Sequence, residues 1–298
     1  MTLASVLPAS VLPAVPAGAI LQPFAGNLLA PQYAMVVDAP PIQVAGADLV
    51  AEGAGQEPGG EQFWGKDLTV PRPMGSITKV MTALVVLKAG DLSRRIRVTK
   101  AVLRYVARDG ASSAGLLRGD VLTARELLEA MLLPSGCDAA YLLATAYGPG
   151  RTAFIGQMNA MAASLGMTGT HFTSFDGMPY PTEHSTYSTP ADLVKLGQAA
   201  MKYPLFRQIV GQFRYVLPAG HGHHAYVWYT TDMLIRTYPG MLGIKTGDTE
   251  AAGNCLLFAA RRNGVTLIGV VLHAAPTSNP GSALIAAERL LNWGFAKT

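Results

Sequence analysis

Ser76 and Lys79, three residues apart, carry the most suggestive chemistry in this 298-residue chain. On a helix, positions i and i+3 are neighbours on one face, so the Lys79 amine can reach the Ser76 hydroxyl. A serine hydroxyl is a poor nucleophile at neutral pH unless a base stands beside it. Lys79 can be that base only where desolvation brings it well below the free-lysine pKa of ~10.4. The surrounding stretch has apolar residues on most sides (Ile77, Val80, Met81, Leu84, Val85, Val86, Leu87) and reads as a buried helix over 76–89, ended by Gly90. Ser76 then stands at the helix N-terminus, where free N–H groups and the dipole favour developing negative charge. Alone, this spacing says little. About one Ser-x-x-Lys arises by chance in a chain of this length, and a capping serine with a solvated lysine is the simpler account.

Two further motifs change the balance. Pro134-Ser135-Gly136-Cys137-Asp138 follows the clearest helical pattern, 123–133, which opens on a Thr123…Glu126 capping box. Gly243-Ile244-Lys245-Thr246-Gly247-Asp248-Thr249 lies in the first of three C-terminal runs read as strands. Ser-x-x-Lys, Ser-x-(Asn or similar) and Lys-Thr-Gly, in that order, are the signature of the penicillin-recognising serine enzymes. With the extended strings Gly75-Ser76-Ile77-Thr78-Lys79-Val80-Met81-Thr82 and Gly243-Ile244-Lys245-Thr246-Gly247, the sequence resembles D-alanyl-D-alanine carboxypeptidases of the low-molecular-mass penicillin-binding protein class. The likeness runs from about Tyr33 to Phe295. It includes His171-Phe172…Gly177, Ser188-Thr189-Pro190-Ala191-Asp192 and the closing Leu290-Leu291-Asn292-Trp293-Gly294-Phe295.

That resemblance implies an α+β chain with the serine β-lactamase/DD-peptidase fold: an antiparallel sheet flanked by helices, a mostly helical lobe, and the cleft between them. It also implies roles. Ser76 attacks the carbonyl of the penultimate D-alanine of a peptidoglycan stem peptide, Lys79 takes its proton, and Ser135 relays a proton to the leaving amine. Lys245 and Thr246 hold the terminal carboxylate, and Cys137 contributes to gripping the substrate. The backbone N–H groups of Ser76 and Asp248 form the oxyanion hole, and Gly247 lets a substrate strand approach the sheet edge. The reaction needs no metal or other cofactor. The implied partners are stem peptides and, as covalent inhibitors, β-lactams, with no nucleic acid; the implied location is extracytoplasmic.

Three rivals remain in view. A class A β-lactamase needs a glutamate-held water for deacylation, and residues 166–180 contain no Glu; Glu183 lacks the flanking pattern. A transpeptidase would use the same acyl-enzyme. A non-catalytic penicillin binder is the third, with Cys137 as its lesion, because most relatives carry Asn there and a thiol donates and accepts only weakly.

The elements that position these residues follow from the pattern. Tyr33–Asp38 reads as a first strand, 39–61 as a long Gly/Pro-rich loop, and Phe63-Trp64 as the opening of a second strand. Helical patterns dominate 91–235, including 139–147, 152–165 and 190–201. Runs at 240–246, 254–262 and 265–273 read as strands, the last two joined by Asn263-Gly264, and a final helix spans about 282–295. Strands at both ends with helices between predict a sheet closed by the termini, from 33–75 and 240–298, around a helical lobe of about 76–239. Residues 1–32 are uncharged and interrupted by prolines, so they read as a Pro/Ala-rich segment preceding a 33–298 domain and not as a membrane span.

Composition agrees. Half of the residues are hydrophobic and 14% charged, which excludes a disordered or coiled-coil chain. The 23 basic residues, against 19 acidic, are scattered, so no nucleic-acid stripe forms. Cys137 and Cys255 read as two buried thiols and not as a bridge. His221-Gly222-His223-His224 lacks metal-ligand spacing and reads as a loop.

Overall fold

The structure is a computed structural model and describes residues 39–52 and 60–298; the strand expected at Tyr33–Asp38 and the 1–32 segment lie outside them. In chain order, a hairpin of β1 (Gly46–Glu52) and β2 (Glu61–Lys66) leads to a 3-10 turn, Gly75–Ile77, and α1 (Thr78–Ala89). Then come β3 (Arg95–Arg97), α2 (Lys100–Asp109), β4 (Val121–Thr123), α3 (Ala124–Leu132), α4 (Cys137–Tyr147), α5 (Arg151–Ser164), α6 (Pro190–Met201) and α7 (Pro204–Val210). A second hairpin, β5 (Arg214–Leu217) and β6 (Tyr226–Tyr229), precedes α8 (Leu234–Thr237). The chain closes with β7 (Met241–Thr249), β8 (Gly253–Arg262), β9 (Val265–Ala274) and α9 (Ser282–Phe295).

The main sheet has the order β2-β1-β9-β8-β7 and is antiparallel throughout. The N-terminal hairpin joins the C-terminal meander through β1 and β9, Leu49 opposite Gly269. Asn263 and Gly264 both have positive φ, +50° and +85°, the backbone of a tight two-residue turn between β8 and β9.

The loop expected over 39–61 is corrected by β1. Its sequence, Gly-Ala-Asp-Leu-Val-Ala-Glu, shows no alternation because both faces of the sheet are covered. Val50, Leu257, Ile268 and Val270 face the core shared with α1 and α6, while Leu49, Phe258, Leu267 and Val271 pack against α9. Asp48 is buried with them and accepts from Gln62 at 3.1 Å. A buried strand with an acidic residue and no polar face carries no period-2 signal.

α1 is the axis of the molecule: every residue from Thr78 to Val86 is buried, as an all-round apolar helix requires. The capping box at Thr123 and Glu126 forms as expected, with Glu126 N 3.2 Å from Thr123 Oγ1 and Thr123 N 2.7 Å from Glu126 Oε2. Both cysteines are buried and unpaired.

Candidate active site

Ser76 sits in the 3-10 turn rather than in the α-helix proper, which begins at Thr78. Three glycines from distant segments clear the space around that turn. Gly75 has φ +53°, a conformation open to glycine, and a Cβ there would lie 2.8 Å from Asp248 N. A Cβ on Gly177 would lie 2.0 Å from Gly75 O, and one on Gly247 2.2 Å from Met74 O. The missing side chain of Gly247 admits the serine turn, because residues 245 and 247 share the face of β7 that packs against that turn.

Lys79, the second residue of α1, is wholly buried. Its Nζ donates to Ser76 Oγ at 2.7 Å and to the carbonyl oxygen of Asp176 at 2.8 Å. Thr82, three residues on, donates in parallel to Phe175 O at 2.5 Å, so α1 grips the 174–177 loop twice. The loop is braced on its other side. The Asp176 carboxylate accepts from Tyr105 OH at 2.6 Å, Ser174 Oγ at 2.7 Å and Met178 N at 3.1 Å. Sequence reasoning missed the backbone acceptor at Asp176, for which no side-chain type gives a signal; only the His171…Gly177 likeness pointed near it.

Ser135 is buried and held at φ +66°, a strained value for a residue with a Cβ. Its turn is strapped by the 112–116 loop: Ser112 Oγ donates to Ser135 O at 2.5 Å and Cys137 N donates to Ser112 O at 2.8 Å. Asp138 anchors the same loop, accepting from Ser113 Oγ at 2.7 Å, Ala114 N at 2.9 Å and Leu116 N at 3.3 Å. The Ser135 hydroxyl itself makes no hydrogen bond among the described residues. Cys137 Sγ stands 3.4 Å from Ser112 Oγ. Burial pushes its thiol up in pKa, and the positive charge of Lys79 pulls in the other direction.

Lys245 is buried on β7, donating to Thr246 O at 3.2 Å and Thr246 Oγ1 at 3.3 Å. Burial brings it down to about 7; the charge of Lys79 adds to that shift, while Cys137 and Asp232 oppose it. Lys79, Cys137 and Lys245, from the three motifs, thus lie within one electrostatic neighbourhood. Thr246 Oγ1 contacts Thr231 Oγ1 at 2.6 Å. Asp232, next in sequence, is buried and shifted up to about 6, with burial opposed by the Leu234 N–H and the Lys245 charge. Its Oδ1 accepts from Leu234 N at 3.1 Å, whereas Oδ2 is buried without a hydrogen-bond partner among the described residues. The backbone of Asp248 abuts Gly75, and its carboxyl is raised by partial burial. Thr231 and Asp232 had no assigned role in the sequence, because their proximity to β7 is a tertiary fact.

The His221–His224 turn is tied down by acids distant in sequence: His224 Nδ1 lies 2.9 Å from Asp120 Oδ1 and His223 Nε2 3.9 Å from Glu126 Oε1. Among the described residues no group of three or more His, Cys, Asp or Glu could hold a metal ion.

A serine and a lysine in direct contact, with a second buried lysine in the same electrostatic neighbourhood, form an arrangement able to perform acyl transfer on a carboxylate-bearing substrate. Known proteins match this chain along most of its length. It is 40% identical over 291 residues to a D-alanyl-D-alanine carboxypeptidase of Streptomyces sp. strain K15, covering 94% of this chain and 95% of the relative. It is 35% identical to the D-alanyl-D-alanine carboxypeptidase DacB2 of Mycobacterium tuberculosis, covering 86% and 87%. The crystal structure of the Streptomyces K15 DD-transpeptidase superposes with a TM-score of 0.78 at 38% identity, covering 86% of this chain and 98% of that one. The family model described as D-alanyl-D-alanine carboxypeptidase matches residues 59–276, and the chain belongs to that peptidase family.

Proposed function

We propose that this protein is a serine DD-peptidase that cleaves the D-Ala-D-Ala terminus of peptidoglycan stem peptides through an acyl-enzyme on Ser76. The observation that carries this reading is the position of the Lys79 amine, buried and fixed between Ser76 Oγ and Asp176 O. Ser76 Oγ attacks the penultimate D-alanine carbonyl, and its proton passes to Lys79 Nζ. The developing oxyanion takes the backbone N–H groups of Ser76 and Asp248, whose segments abut at Gly75. The C–N bond breaks as Ser135 relays the proton held by Lys79 to the departing D-alanine amine, giving up its own hydroxyl proton and taking that of Lys79. Lys245, as an ammonium, and Thr246 hold its carboxylate. Water then attacks the ester, and Ser76 recovers its proton.

Penicillins present the same acyl and carboxylate groups and acylate Ser76. The substrate lies outside the cytoplasmic membrane, so the protein acts there; no helix among the described residues is long and apolar enough to cross a membrane. Transfer to an amine instead of water is the second reading, favoured by the likeness to a protein described as a DD-transpeptidase.

Intact-mass measurement tests the proposal: a penicillin should add one acyl group to the wild type and none to Ser76→Ala. Absence of the adduct, or its survival in Ser76→Ala, overturns it. D-alanine release from a stem-peptide mimic, with and without an acceptor amine, separates hydrolysis from transfer and from mere binding.

A further inference from the structure

Thr231 stands outside the three motifs, yet it ties two of them together. Its backbone N–H donates to Leu133 O at 3.1 Å, two residues before Ser135, and its hydroxyl oxygen lies 2.6 Å from Thr246 Oγ1. The segment that carries it is fixed on both sides. Thr230 N donates to Phe213 O at 2.9 Å, Asp232 N to Thr230 Oγ1 at 3.1 Å, and Leu234 N to Asp232 Oδ1 at 3.1 Å. Residues 230, 232 and 234 are buried, whereas 229, 231 and 233 are exposed. The alternation of β6 thus runs on past its last residue. It leaves the Thr231 side chain at the surface, against the half-buried Thr246.

Proton counting decides what this contact can do. A hydroxyl has one proton to donate and two lone pairs to accept with, and a carboxylate only accepts. Thr246 Oγ1 already accepts from Lys245 Nζ at 3.3 Å. If Thr246 donates to Thr231, its only proton is spent and it turns a lone pair towards an incoming carboxylate. If Thr231 donates instead, both Thr246 lone pairs are filled and its proton is free for the carboxylate. This second arrangement costs no hydrogen bond, because the Thr231 hydroxyl has no other partner among the described residues. Donors in a chain also polarise one another, so a bond from Thr231 makes Thr246 the better donor.

Resting on the peptidase reading above, we infer that Thr231 is a positioning residue for the leaving group. Its hydroxyl donates to Thr246 Oγ1 and thereby directs the Thr246 proton at the terminal carboxylate of the acyl donor. The Lys245 ammonium attracts an anion with little directional preference, whereas the relay from Thr231 through Thr246 fixes where one carboxylate oxygen sits.

The test uses the full chain and two acyl-D-alanyl thioesters, with release of the free thiol as the readout. They are identical except that the leaving thiol ends in a carboxylate in one and a methyl group in the other. Thr231→Val keeps the branched shape and the N–H bonded to Leu133 and removes only the hydroxyl. In this variant kcat/KM for the carboxylate donor should fall about fivefold, the worth of one ordinary hydrogen bond, and that for the methyl donor should change by less than about twofold. Thr231→Ser keeps the donor and should stay within about twofold of the wild type on both. A merely structural role slows both donors alike, so equal losses in Thr231→Val overturn the assignment, as does no loss on either. A loss in Thr231→Ser as large as in Thr231→Val places the effect on the methyl group and also overturns it. Release of both thiols by the wild type with Thr231→Val unaffected sinks the role of Thr231 alone, whereas release of neither sinks the peptidase reading and this role with it.

Discussion

The Lys79 amine nitrogen and the Asp176 carbonyl oxygen lie 2.8 Å apart although 97 residues separate them in the chain. One end of this contact is set by the apolar helix α1, the other by a loop with no regular structure. The loop is rigid because its own carboxylate is spent inward, on Tyr105, Ser174 and the Met178 N–H, leaving its carbonyl aimed at the lysine. The direction of the Lys79 amine therefore depends on hydrogen bonds made by a helix, α2, that contributes no residue to the three motifs.

Tyr105→Phe tests this dependence. It removes one donor from a buried carboxylate, and the expected stability loss is about 1–3 kcal/mol. Penicillin acylation should slow several-fold at saturating drug. Stopped-flow acylation beside thermal denaturation checks it; an unchanged acylation rate would disconnect α2 from the lysine.

Gly247→Ala inserts a methyl group 2.2 Å from Met74 O, where backbone and not a flexible side chain must give way. The expected result is a destabilisation of about 1–3 kcal/mol together with a large drop in acylation, because the displaced segment carries Ser76. Lys245 and Thr246 would be untouched, so weak non-covalent binding of a D-Ala-D-Ala peptide should persist.

Lys245 gives a pH dependence with a definite sign. Its folded pKa, about 7, is below the unfolded lysine value, so the ammonium needed for carboxylate binding is present below about 7 and lost above it. KM for carboxylate-terminated donors should therefore rise as pH increases through that value. Asp232→Asn removes a negative charge that supports the ammonium, so the rise should begin at lower pH. A donor whose leaving group carries a methyl ester in place of the carboxylate should lack this limb in both proteins. In stability the sign is reversed. Between about 7 and 10.5 the unfolded state binds more protons at this position, so this residue's contribution to stability increases with pH.

Asp138→Ala leaves Ser113, Ala114 N and Leu116 N without their shared acceptor. Loss of a buried, multiply bonded carboxylate is expected to cost about 3–5 kcal/mol and to release the strap over Ser135. Denaturant unfolding measures the first effect. Faster proteolysis within the 112–116 loop reports the second.

The order of the elements and the identity of the polar groups were legible without coordinates wherever the signal was local. The α6 and α9 boundaries, the Thr123 capping box and the Asn263-Gly264 turn rest on contacts within a few residues, and reading them required only propensity and periodicity. β1 was not legible, because burial on both faces erases the alternation that marks a strand. Gly247 shows the same limit at one position: its closeness to Met74 O, across 173 positions of sequence, carries no local signal.

By itself the sequence determined which chemical groups this protein possesses and the order in which its chain presents them: a serine one turn from a lysine, a serine turn after a capped helix, and a lysine on a C-terminal strand. The tertiary structure alone decided what surrounds those groups. Desolvation and charge coupling depend on distance through space. So the carbonyl that holds Lys79, the buried Asp232 carboxylate beside Lys245 and the Thr231 hydroxyl on Thr246 came from segments that no spacing rule connects.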